Sequence, residues 1–165
     1  INQEVRPKIW LGYFKKLKMN IKKIHKIIDK IPGIELYYEN KTSVDWRVLI
    51  ALVYQVDFNA HMDVVGVVYR MTVQDGRFYI GKTERSLGLR VFEHLEESFR
   101  SWEIEKTKYR IFEEKLMLGE SIEVDVLSND ITQEKPIIQS YHDNSLILNK
   151  QFLYNSKGEK IIINN

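Results

Sequence analysis

Two β-rich runs, Val64–Val73 and Arg77–Gly81, flank Asp75-Gly76, and this pattern restricts the chain more than anything else in it. Asp-Gly between two such runs signals a tight hairpin with a two-residue loop. On that reading Gln74 faces Arg77, Val73 faces Phe78, Met71 faces Ile80 and Tyr69 faces Lys82. Side chains alternate along a strand, so Met71, Val73, Phe78 and Ile80 are expected on one apolar face, with Tyr69 and Lys82 as its last pair. Tyr79 then falls on the opposite face beside Thr72 and Gly81. A bulge or a one-residue slip would exchange the faces of the tyrosines.

Helical patterns surround the hairpin. Trp10, Phe14, Leu17, Ile21, Ile24, Ile28 and Ile31 recur every three or four residues, predicting an amphipathic helix that Pro32-Gly33 stops. The stretch "VDWRVLIALVYQV" follows Ser43, a plausible N-cap, and reads as a buried helix, so residues 1–62 are expected to form a helical extension. Residues 63–165 form the second unit. There a helix is predicted from near Ser86, and another around "KYRIFEEKLML", ending at Gly119. "SIEVDVL" alternates as a third strand, "QEKPIIQSYHDN" reads as a last helix and "LILNKQFLYN" as a packed tail.

Composition excludes several chemistries. Without cysteine there is no disulfide, thiol nucleophile or Cys-type zinc site. His25, His61, His94 and His142 are scattered with no second ligand at zinc spacing, and neither a serine nucleophile elbow nor a phosphate-cradling glycine loop occurs. No apolar run reaches membrane-spanning length and no signal-peptide pattern is present, so an intracellular, cytoplasmic protein off the membrane is expected. Charge is uneven: residues 1–30 hold nine Lys/Arg against two acids (+7), and the remainder holds 16 against 21 (−5).

The hairpin ends in residues that a hairpin does not need. A free tyrosine has a pKa near 10, so forming its phenolate at pH 7 costs roughly 4 kcal/mol. A lysine across the strand pair lowers that cost, and a phenol so placed can act as general base toward water. Taken alone, the pair reads more often as a half-buried strand tyrosine beside a snorkelling lysine. Arg90 and His94 follow at i, i+4 on one helix face and can aim at the same corner. A guanidinium is the usual partner of a phosphate oxygen.

"VVY" at Val67–Tyr69, "YIG" at Tyr79–Gly81, then Arg90, His94, Glu134 and Asn149 in order resemble the GIY-YIG nuclease superfamily over roughly residues 65–150. The resemblance implies an α/β domain of the α+β kind, with a three-stranded antiparallel sheet flanked by helices. It further implies endonucleolytic hydrolysis of DNA phosphodiesters with one Mg²⁺ (or Mn²⁺) per active site. Tyr69 is then the candidate base. Tyr79 orients water or phosphate and shares that role, and Gly81 lets backbone approach the substrate. Lys82 stabilises phenolate and phosphate, Arg90 holds the scissile phosphate and His94 supports proton transfer. Asn149 joins this set, and Glu134 is the metal ligand. The chain departs from the family pattern at Val67, where the family has Gly and this chain has Gly66 one place earlier. It departs again at Pro136, which predicts that Glu134 lies just ahead of its helix. Glu113 or Glu114 is the fallback ligand.

Beside a nuclease, Lys15, Lys16, Lys22 and Lys23 become candidate phosphate contacts to double-stranded DNA; otherwise they are the solvated face of a packing helix. A compact restriction-like or other stand-alone nuclease is the leading expectation, and cutting both strands of a symmetric site calls for a homodimer. The alternative is a non-cleaving nucleic-acid-binding module on the same fold. A partner-binding domain that docks through its amphipathic helix is a third reading.

Overall fold

The structure, a computed structural model, describes residues 21–39, 45–100 and 107–149. Helices α1 (Ile21–Ile28) and α2 (Ile34–Glu39) come first, followed by α3 (Trp46–Ile50), which runs on as a π-helical turn over Ala51–Gln55. Strands β1 (Val56–Phe58), β2 (Val65–Val73) and β3 (Phe78–Ser86) follow, then α4 (Leu87–Arg100), α5 (Thr107–Met117), β4 (Ile122–Ser128) and α6 (Glu134–Ser140).

The expected amphipathic pattern holds where it is described. Ile24, Ile28 and Ile31 are buried, while His25, Lys26 and Lys30 face solvent. Its part before residue 21 lies outside the described residues, as does Ser43. The cap of α3 is instead Asp45, whose carboxylate accepts the Arg47 N–H at 2.9 Å. The run expected to stay helical to residue 62 ends earlier, because Val56–Phe58 turns into a strand against β4.

The sheet is mixed and four-stranded, in the order β1-β4-β2-β3, which corrects the expected three antiparallel strands. β3, β2 and β4 are mutually antiparallel, and β1 adds to the edge of β4 in parallel. β4 would otherwise present an unpaired backbone edge, and β1 covers it at Ile122, Glu123 and Val124. Helices α1 to α5 share the large core on one sheet face, built around Ile24, Leu49, Met71, Phe92, Leu95 and Phe112. On the other face Val68, Phe78, Ile80, Ile138 and Ile147 form a smaller core under α6 and the tail.

The hairpin loop has three residues, Gln74-Asp75-Gly76, and not two. The Val73 N–H bonds the Arg77 carbonyl at 3.0 Å, and Gly76, at φ +95°, adopts the left-handed conformation this loop needs. Asp75 secures it by accepting the Arg77 backbone N–H and pairing with the Arg77 guanidinium. The register therefore slips by one, to Tyr69↔Gly81 and Met71↔Tyr79. Tyr69 and Tyr79 come to share a face, Phe78 and Ile80 move to the other, and Lys82 pairs with Val68 away from Tyr69.

Candidate active site

The two tyrosines stand on the sheet face against which α4 packs. That helix begins at Leu87 directly after β3, so its i, i+4 residues Arg90 and His94 are brought over the end of the hairpin. The Tyr69 hydroxyl lies 2.6 Å from Nε2 of His94, and both residues are fully buried. The Arg90 guanidinium sits beside the same hydroxyl. A neutral His94 leaves Nε2 free to accept, so the Tyr69 hydroxyl is assigned as donor to Nε2 and keeps its lone pairs toward the Arg90 cation. That assigns the remaining proton to Nδ1, which is buried with no partner among the described residues.

Burial, then the nearby Tyr79, push the Tyr69 phenol far above its ordinary range, against the pull of Arg90. The Tyr79 phenol is pushed up to about 12, first by burial and then by Tyr109 and Glu134, with Arg90 opposing. His94 is held well below its usual value by burial and by the cations Arg90 and Lys108, so it is neutral at pH 7. The tyrosines differ in access: Tyr69 is 0% exposed and Tyr79 8%. Tyr79 thus keeps a little exposed surface, while Tyr69 is enclosed between sheet, His94 and Arg90.

Gly81 has a packing role of its own. A Cβ there would stand 2.5 Å from the Tyr69 hydroxyl and 3.1 Å from the Tyr79 ring. The missing side chain makes room for Tyr69, the partner that the slipped register puts opposite it.

Lys82 is exposed and does not form the expected pair with Tyr69. Its neighbour is Glu134, whose carboxylate accepts the Lys82 backbone N–H and feels the Lys82 charge. Glu134 is the first residue of α6 and has helical dihedrals (φ −54°, ψ −55°), so Pro136 does not hold it ahead of the helix. Pro136 instead takes a first-turn position, where a missing N–H costs nothing. Burial raises the Glu134 pKa, opposed by Lys82 and Lys108, and the negative charge of Glu134 is felt at Tyr79. Of the fallback ligands, Glu113 is buried within α5 and Glu114 acts on Arg77 at the hairpin turn.

Two site residues escaped the sequence reading. Lys108, in the first turn of α5, holds its Nζ 3.9 Å from the centroid of the Tyr79 ring and 4.9 Å from that of Tyr109. Tyr109 in turn lies against His94, with ring centroids 5.9 Å apart. The only sequence signal was the pair Lys108-Tyr109 at the start of a predicted helix, which has no meaning until α5 is packed on α4.

Asn149 does not face the tyrosines. Its Oδ1 accepts the Ile80 N–H at 2.8 Å and its Nδ2 donates to the Ile80 carbonyl at 2.7 Å. The tail runs parallel to β3 from the Phe78–Ile147 bridge, and the Asn149 amide imitates the next residue of that ladder. It thereby holds the outer edge of β3. Lys15 and Lys16 lie outside the described residues, and Lys22 and Lys23 belong to α1 with side chains outside them.

A groove of about 570 Å³ opens on the far flank of Arg90, between Leu36 and α4. Neither tyrosine nor Glu134 lines it. Its ions are mutually satisfied, Arg85 pairing with Glu93 and Arg100 with Glu96 and Glu97. Among the described residues no three His, Asp or Glu side chains gather into a metal cage. Glu134 alone still fits a hard cation of the magnesium type, being a half-exposed oxygen donor with one backbone N–H fixing it, because such an ion keeps most of its waters. Comparisons with protein-family models, curated proteins and solved structures found no match.

Proposed function

We propose that this chain is a metal-dependent endonuclease of the GIY-YIG kind, hydrolysing phosphodiester bonds in double-stranded DNA. The observation that carries this reading is the packing of Tyr79 against His94, with the guanidinium of Arg90 and the carboxylate of Glu134 near enough for their charges to act on its phenol. A phenol, a phosphate-binding cation and an oxygen ligand for a hard ion are the parts this hydrolysis needs. Without a ligand the phenol stays protonated, since burial and Glu134 resist its ionisation and Arg90 only partly offsets them.

At pH 7 a phenol with a pKa of about 12 carries a cost of about 7 kcal/mol to ionise, so the free site is at rest. Mg²⁺ held by Glu134 would polarise the phosphate and offset the field of that carboxylate. Arg90 binds the non-bridging phosphate oxygens and stays charged throughout. Tyr79, having released its proton to solvent, accepts a proton from the attacking water. The water oxygen forms the new P–O bond as the opposite P–O bond breaks, and the departing oxygen is protonated from solvent. His94, neutral and locked by Tyr69, keeps the enclosed phenol and Arg90 in place.

Incubation with supercoiled plasmid tests this directly. Nicked or linear product is expected with Mg²⁺ and none with EDTA. Arg90→Ala and Glu134→Ala should lose cutting while duplex binding persists. Binding without cutting by the unaltered chain would support the non-cleaving module instead.

A further inference from the structure

Arg90 has an acidic rival on its own helix. Glu93 stands three residues further along α4, at a spacing where side chains meet, and its Oε1 lies 3.8 Å from the Arg90 guanidinium. That is too far for a hydrogen bond. The same Oε1 is taken by the guanidinium of Arg85, from the end of β3. We propose that Arg85 is a positioning residue for Arg90: by engaging Glu93, it keeps the phosphate-binding guanidinium free of its neighbouring carboxylate. The inference deepens the nuclease reading and rests on Arg90 as the cation that holds the phosphate.

Local structure sets Arg85 up for this. The Thr83 hydroxyl accepts the Arg85 N–H at 3.1 Å. The Ser86 hydroxyl accepts the Leu89 N–H at 3.4 Å and donates to the Pro32 carbonyl at 2.9 Å. The chain therefore passes from β3 into α4 along a fixed path, and Arg85 is set beside the second turn of the helix, where Glu93 lies. Arg90 is drawn two ways, toward the Tyr69 hydroxyl at the site and toward Glu93 on the groove flank. A guanidinium and a carboxylate that close on one another form charge-assisted bonds with the N–H groups aimed at the carboxylate. Those are the donors a phosphate oxygen needs. With Arg85 in place Glu93 already has a positive partner, and its pull on Arg90 is partly neutralised. Without Arg85, the one cation paired with Glu93 among the described residues is Arg90, and Glu93 competes with phosphate for it.

The test is a rescue. Arg85→Met should lower kcat/KM for duplex cleavage with Mg²⁺ about fivefold. Adding Glu93→Gln to Arg85→Met removes the rival and should recover most of that loss. Arg85→Met with Glu96→Gln carries the same net charge and should stay as slow as Arg85→Met, which separates competition for Arg90 from a general gain in attraction to DNA. The chain without DNA, labelled with ¹⁵N-arginine, gives a second readout in the Arg90 Nε–H resonance, assigned by Arg90→Lys. That resonance should shift in Arg85→Met and return when Glu93→Gln is added. No rescue of cutting in a chain that cuts, a resonance that fails to return, or equal recovery with Glu96→Gln overturns the inference. The resonance needs no cleavage: the expected shift and return in a chain that cuts nothing would retire the nuclease reading and leave the hold of Arg85 on Glu93 standing.

Discussion

His94 shows how one buried group ties the site to stability. Fully enclosed and bonded to Tyr69, it refuses the proton that an unfolded histidine takes up near pH 6.5. The unfolded chain therefore binds more protons below that pH, and this contribution to stability falls as pH drops below about 6.5. The urea midpoint should decline from pH 7 to 5, and His94→Gln should flatten that decline while lowering stability at pH 7. An unaltered slope would mean that His94 is not held neutral. The same enclosure explains Gly81, since any side chain there would displace the Tyr69 hydroxyl from between His94 and Arg90.

At the scale of elements, β3 decides where everything else stands. Its inner edge is zipped to β2 in a register set by a three-residue loop; its outer edge is closed by the tail through Leu148 and Asn149. Removing the Asn149 amide strands both backbone groups of Ile80, so Asn149→Leu should cost about 2–3 kcal/mol in a urea melt. A loss within 0.5 kcal/mol or so, typical of surface changes, would contradict the ladder role. The helical periods, the β4 alternation and the face shared by Arg90 and His94 were legible in the sequence because each is a local repeat. The register was not, because Asp-Gly suits two-residue and three-residue loops alike, and the choice lies in how Asp75 closes on Arg77. That single residue decided which tyrosines share a face. Lys108 was illegible for another reason: its position depends on how α5 packs against α4, which no spacing along the chain encodes.

For the whole molecule, the large core draws on α1 and α3 as well as on the sheet and α4, so the basic N-terminal helix is fastened to the same body that carries the tyrosines. Among the described residues no helix is long and apolar enough to cross a membrane. Lys26 on that helix and Lys30 just beyond it are exposed on the surface of the same body. The central claim is that hydrolysis runs through the Tyr79 phenol. Single-turnover cleavage of a duplex with Mg²⁺, comparing the unaltered chain with Tyr79→Phe, tests it most directly. A loss of about 100-fold or more with duplex affinity unchanged is the predicted result. Cutting by Tyr79→Phe at the unaltered rate, or no cutting by either chain, would contradict it.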